Sequence, residues 1–201
     1  MKKLGIYLII IGIAFFAFYF MYNKALDRQA QDNVDDYIKD TSVVNEVIDE
    51  VSVEENEENQ ETNFNNINYT AILEIPKISL KRGVVDNTRN FNSINYAISV
   101  DNSSNYPNEK GNFILYSHSG NSNIAFFNRL YKLEINDDIY VYYNGIKYHY
   151  SIFKKYDIEK TGKAKVINLK DNKYITLITC NQNKKGYQMV IEGKIIDESN
   201  Y

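Results

Sequence analysis

Leu4–Tyr22, LGIYLIIIGIAFFAFYFMY, is a run of 19 residues without a single charged side chain. About 20 apolar residues at 1.5 Å rise each cross the hydrocarbon core of a bilayer. Inside that core a backbone has to satisfy its own hydrogen bonds, so the run predicts a transmembrane helix. Lys2 and Lys3 precede it and, by the positive-inside rule, hold residues 1–3 in the cytoplasm and the rest of the chain outside. Tyr7, Tyr19 and Tyr22 lie towards its ends, where aromatic rings favour the interface. A cleaved signal peptide has a shorter apolar core and small residues at the cleavage site. Here Phe18-Tyr19-Phe20-Met21-Tyr22 stands there instead, so the run is read as an uncleaved, single-pass anchor over 4–22.

The stretch 23–66 reads as an acidic stalk, partly disordered. Between Asn23 and Thr62 there are 13 acidic residues against three basic ones. Val34, Tyr37, Ile38, Val44, Val47 and Ile48 give Asp27–Glu50 a weak helical pattern, which predicts a short juxtamembrane helix. Glu54–Asn66 has almost nothing to bury and is expected to be disordered. From Asn63 onward there are 13 acidic and 18 basic residues, a mildly cationic balance suited to an anionic membrane or wall. No segment is basic enough to predict nucleic-acid binding.

From about residue 67 the texture changes to short β-branched and aromatic runs separated by Asn, Asp, Gly and Ser. The expected strands are Ala71–Ile75, Leu80–Val84, Tyr96–Val100, Asn112–Ser117, Ile139–Tyr143, Ile146–Lys155, Tyr174–Thr179 and Gln188–Ile196. Asn144-Gly145 between two of them predicts a type I′ hairpin turn. Ser122–Leu133 is the one segment with a short helical pattern, with Ala125, Phe126, Leu130 and Leu133 on its apolar side. The pattern predicts a mainly β domain over 67–201, either a barrel or a sandwich.

The chain has one cysteine and two histidines. It can form no internal disulfide and no cysteine metal cluster, and its carboxylates are scattered, so neither a metal nor a cofactor is expected. A single cysteine outside the cell is either buried and inert or retained for its chemistry. His149 falls on the polar face of a hairpin strand and reads as a surface histidine. His118 and Cys180 each stand where a buried strand hands over to a polar loop. If those two strands run the same way in one wall, both side chains meet at one rim. An imidazole there could make the thiolate accessible and carry a proton to a leaving amine.

Four segments resemble sortases, the cysteine transpeptidases that attach surface proteins to Gram-positive cell walls. Leu73–Leu80 (LEIPKISL) resembles their opening strand pair, and Asn112–Gly120 (NFILYSHSG) their catalytic histidine segment. Ala125–Leu130 (AFFNRL) is similar to the helix that follows, and Thr176–Cys180 (TLITC) to the family's TLxTC signature. The order and spacing match from Asn68 to about Ile196.

The resemblance implies a closed barrel of about eight strands with one or two short helices, behind the N-terminal anchor. It implies a Cys180 nucleophile with His118 as proton carrier, acting on an LPxTG-like sorting signal of surface proteins. The acceptor would be a peptidoglycan precursor amine or a pilin lysine. The class of sortase is left open. Thr179 is carried as a supporting residue, while Ser117 and Ser119 are read as shaping the rim and Pro76 as stiffening a strand edge.

One departure stands out. Most sortases carry an arginine on the strand after the cysteine, and no arginine follows Arg129 here. The register places Gln188 in that position, where an amide can donate to a developing oxyanion without carrying charge. Lys184 and Lys185 in the preceding loop are candidates to lend charge, and Arg129 reads as a surface residue. Two rival functions remain at this level: a binding module with a degenerate site, and a hydrolase in which water resolves the thioester.

Overall fold

A computed structural model describes residues 2–43, 69–86, 97–122, 124–161 and 171–201. Eight strands follow one helix: β1 (Ala71–Ile75), β2 (Leu80–Asp86), β3 (Ile98–Val100), β4 (Gly111–Tyr116), β5 (Asp138–Tyr143), β6 (Ile146–Glu159), β7 (Lys173–Cys180) and β8 (Tyr187–Asn200). They close in the order β1-β2-β3-β4-β7-β8-β6-β5, with β5 paired back onto β1. The choice between barrel and sandwich is thereby settled as a closed barrel, which leaves no free sheet edge.

Period-2 patterning explains the two sides of the wall. Ile175, Leu177, Ile191, Phe113 and Leu115 point inward to the main core, while Ile114, Ile178 and Val190 form a smaller apolar cluster outside, packed by Tyr116, Tyr156 and Ile158. Asn144 and Gly145 both adopt positive φ, 49° and 76°, as the predicted hairpin turn requires. β6 and β8 run four residues beyond their expected ends, to Glu159 and Asn200, because they pair with each other along nearly their whole length.

The expected helix at Ser122–Leu133 does not form. Residues 124–129 form turns that end in one 3-10 turn, Leu130–Lys132, and a second 3-10 turn starts at Pro76 between β1 and β2. Phe127, Leu130 and Leu133 insert into the end of the barrel with 0–1% exposure. A regular helix would have offered Phe126 instead; tertiary burial overrides the helical pattern.

α1 (Lys2–Val43) is one continuous helix of 42 residues, longer than the span expected over 4–22. Its first part is long and apolar enough to cross a membrane. Its second part docks on the barrel. Val34 is fully buried, Gln31 Nε2 donates to the Lys81 carbonyl at 3.1 Å, and Asp27 pairs with Arg82. Tyr37 Oη donates to the Thr70 carbonyl at 2.8 Å, and Thr41 shares a 2.6 Å hydrogen bond with the Tyr201 hydroxyl. The expected disorder of Glu54–Asn66 lies outside the described residues.

Inside the barrel, the buried Tyr150 hydroxyl has no hydrogen-bond partner among the described residues. An unpaired buried hydroxyl costs about 1–3 kcal/mol. Tyr150→Phe should therefore raise the stability of the full chain in detergent by about 1 kcal/mol at neutral pH, read as a higher Tm. Burial also pushes the Tyr150 pKa upward, so the fold holds the neutral phenol. Its contribution is constant below about pH 10, the unfolded value, and is lost as pH rises further. The phenylalanine variant should lose less stability above pH 10, and a lower Tm at neutral pH would contradict this account.

Candidate active site

β4 and β7 are adjacent and parallel, with Tyr116 opposite Ile178. Counting on by two, His118, two residues past the end of β4, and Cys180, the last residue of β7, occupy matching positions on two neighbouring strands. This is the arrangement anticipated from the two strand-to-loop junctions. Two hydrogen bonds tie the junctions together: Thr179 Oγ1 donates to the Ser117 carbonyl at 2.9 Å, and Ser119 Oγ donates to the Cys180 carbonyl at 2.6 Å. His118 lies between those two serines, and its own carbonyl accepts from the Phe127 amide at 3.0 Å. Its backbone is pinned on both sides while its side chain is exposed.

Cys180 is half-buried and lines a cleft of about 240 Å³ with Ser119, Phe127, Tyr131, Asn183 and Met189. Thr179 is buried below it and holds the rim, consistent with a supporting place. Gln188 lies directly across from Cys180 in the β7–β8 ladder, and Ile158 of β6 lies directly across from Gln188. Residues opposite each other share a face of the sheet. Gln188 is thus beside Cys180 on the outer face, where the sequence register put it.

The positive charge near the thiol comes from an unexpected residue. Lys160 lies two positions past Ile158, on the same face, and its Nζ approaches Cys180 Sγ at 3.6 Å. Its backbone amide donates to the Gly186 carbonyl at 2.8 Å, which fixes it against the β7–β8 loop. Sequence reasoning missed Lys160 because the β6 expectation ends at Lys155, and because a bulge between Ile152 and Lys154 reverses the alternation, so that period 2 carried on from Tyr148, Tyr150 and Ile152 would have put Lys160 on the inner face. Of the loop lysines considered earlier, Lys184 sits over the Tyr187 ring at 3.5 Å. Arg129 donates to the Ile78 carbonyl at 3.4 Å. His149 is remote, hydrogen-bonded to Asp138 at 2.7 Å. Among the described residues no cluster of three or more His, Cys, Asp or Glu side chains could hold a metal.

The thiol of Cys180 lines the cleft, with the Lys160 ammonium 3.6 Å from its sulfur, Gln188 opposite it in the ladder and exposed His118 at the neighbouring strand-to-loop junction. Such a set can attack an acyl carbon, move a proton to or from a nitrogen, and stabilise an oxyanion. The fold and site define a closed eight-stranded barrel with a cysteine and a histidine at one rim. The chain belongs to the sortase family, whose domain matches residues 73–196.

Solved structures agree on the fold. A Clostridium perfringens sortase D5 transpeptidase superposes with a TM-score of 0.57 at 21% identity, covering 64% of this chain and 79% of that one. Listeria monocytogenes sortase A gives 0.58 at 22% identity, covering 66% and 90%. Sortase C-1 from Actinomyces oris gives 0.57 at 18% identity, covering 63% and 73%. A sequence search of curated proteins finds no match.

Proposed function

We propose that this chain is a membrane-anchored cysteine transpeptidase that cleaves an LPxTG-like sorting signal and transfers the acyl part to an amine. The observation that carries the reading is the parallel β4–β7 pairing, which sets His118 and Cys180 at matching positions inside a sortase domain. Residues 4–22 are the anchor, with residues 1–3 cytoplasmic and the catalytic domain, from about residue 67, extracellular.

The steps balance on this chain's own groups. The Cys180 thiolate attacks the threonine carbonyl carbon, and the tetrahedral oxyanion collapses to break the Thr–Gly C–N bond. His118, as imidazolium, gives its proton to the departing glycine amine. An incoming amine then attacks the thioester carbonyl, His118 takes the proton back, and the thiolate leaves. The acceptor is a peptidoglycan precursor amine or a pilin lysine, and the donor a surface protein.

The role held by arginine elsewhere is divided here. Gln188 supplies a neutral hydrogen-bond donor, and Lys160 supplies the charge. Gln188→Ala should lower kcat/KM on the order of 10²-fold, and Lys160→Met about tenfold, the smaller effect because this ammonium is exposed and screened. Lys160→Arg should restore most of that loss. A second readout isolates charge. Iodoacetate and iodoacetamide consume the same thiolate, so the ratio of their rates reports the local potential at Cys180. That ratio should fall in Lys160→Met and hold in Lys160→Arg; an unchanged ratio would sink the assignment.

The functional test is intact-mass analysis of the full chain in detergent with a panel of LPxTG-like peptides. A peptide adduct released by an added amine as the amide product supports transpeptidation. Release only as free acid, whatever amine is added, would favour the hydrolase. Absence of any adduct on a readily alkylated thiol would favour the binding module.

A further inference from the structure

We infer that α1 holds the barrel with its catalytic rim facing the bilayer, so that the rim is a membrane-apposed surface. The inference rests on the anchor part of the proposed function and not on the chemistry.

Strand directions define two ends of the barrel. Cys180, Tyr116, Leu80, Ile75, Asp138 and Tyr187 lie at the catalytic end. Asp86, Gly111, the Asn144-Gly145 turn and Tyr201 lie at the other. α1 can be placed against this axis through its own contacts. Asp27 pairs with Arg82 and Gln31 with the Lys81 carbonyl, both near the start of β2 at the catalytic end. The Arg82 guanidinium in turn covers the Phe126 ring, in the loop that follows His118, at 5.6 Å. Thr41, further along the helix, bonds to Tyr201 at the opposite end. α1 therefore enters from the catalytic end and leaves towards the far one.

The distances then set the height of the rim. From Tyr22, where the apolar run ends, to Asp27 is about 8 Å of helix. From Arg82 back to the first residue of β2 is about 7 Å of strand in the reverse direction. The two nearly cancel, and the rim comes level with the membrane interface. Thr41 and the far end stand about 28 Å above Tyr22.

The rim surface fits such a place. Tyr131 and Ile135, in the segment between β4 and β5, are 51% and 50% exposed. Lys132, Lys160, Lys184 and Lys185 around the same end are exposed as well. The acidic side chains at this end are partnered: Glu134 and Asp137 by Lys77, Asp138 by His149, and the exposed Asp157 and Glu159 by Asn181 and Tyr187. Exposed apolar and aromatic side chains among lysines suit an anionic headgroup layer. The partner is the lipid surface of the membrane that α1 crosses. The consequence for substrate is specific: the scissile bond has to be presented close to the headgroups, as a chain with its own membrane tether does.

Depth measurement tests this. The full chain is placed in nanodiscs of phosphatidylcholine and phosphatidylglycerol, with a fluorophore on Cys180, its sole cysteine. A second protein, Cys180→Ala with Lys110→Cys, carries the label at the exposed far end. Lipids bearing a nitroxide on the headgroup are the quencher. With the rim near the interface and the far end about 28 Å away, the label at 180 should be quenched at least about twofold more than that at 110. Weakening the dock with Asp27→Ala and Tyr37→Ala should level the two. Equal quenching in the starting proteins, or more at 110, overturns the inference. Failure of the chain to float with the lipid overturns it through the anchor. Quenching needs no catalysis, so loss of the transpeptidase reading leaves this result standing or falling by itself.

Discussion

Cys180→Ala should abolish both the peptide adduct and amide transfer, with kcat reduced on the order of 10⁵-fold or more. Removing the nucleophile of a cooperating set costs about as much as removing the whole set, which is 10⁶ in a well-studied protease. The fold should survive. Cys180 is only half-buried at the end of β7, and the two bonds that brace the rim use the Thr179 hydroxyl and the Cys180 backbone carbonyl, not the thiol. Thermal unfolding should therefore match the parent, and sorting peptide should still bind. Measurable amide product from the alanine protein would remove Cys180 from the chemistry.

His118→Ala should be nearly as damaging, with kcat/KM falling about 10³- to 10⁴-fold, the upper range for a positioned general acid and base. The glycine amine cannot leave as an anion, so acylation stalls without a proton donor. The position is well suited to chemical rescue. The side chain is exposed, while its backbone is held by the Phe127 amide and by the braces on Ser117 and Ser119. Added imidazole should reach the gap left in His118→Gly and restore part of the rate. Full activity in the alanine variant would exclude His118 as proton carrier, and loss of activity together with a lower Tm would point to a structural role.

Some of this was readable from local pattern. The short apolar, β-branched and aromatic runs Phe113–Tyr116 and Tyr174–Thr179 located both strands. Asn144-Gly145 announced its own turn, because few residue pairs accept positive φ twice. Ser122–Leu133 misled because its apolar spacing is compatible with a helix, and only the open end of the barrel draws Phe127, Leu130 and Leu133 in together. The sequence places the end of β6 at Lys155, since the bulge between Ile152 and Lys154 breaks the alternation that would carry the strand on. Its continuation depends on β8, some 30 residues further on, which pairs with it as far as Tyr187.

Sequence alone determined the apolar N-terminal run, the β texture of the domain, and the placing of His118 and Cys180 at the ends of buried strands. Each is a matter of composition or short-range period, which local chemistry dictates. The tertiary structure decided that β4 and β7 are parallel neighbours, that Gln188 faces Cys180 across a ladder, and that Lys160 brings the ammonium to the thiol. It also decided that α1 continues past the apolar run and lies along β2. These depend on pairings between segments distant in the chain, set by closing the barrel, and no local pattern records which partner a strand or a helix face will meet.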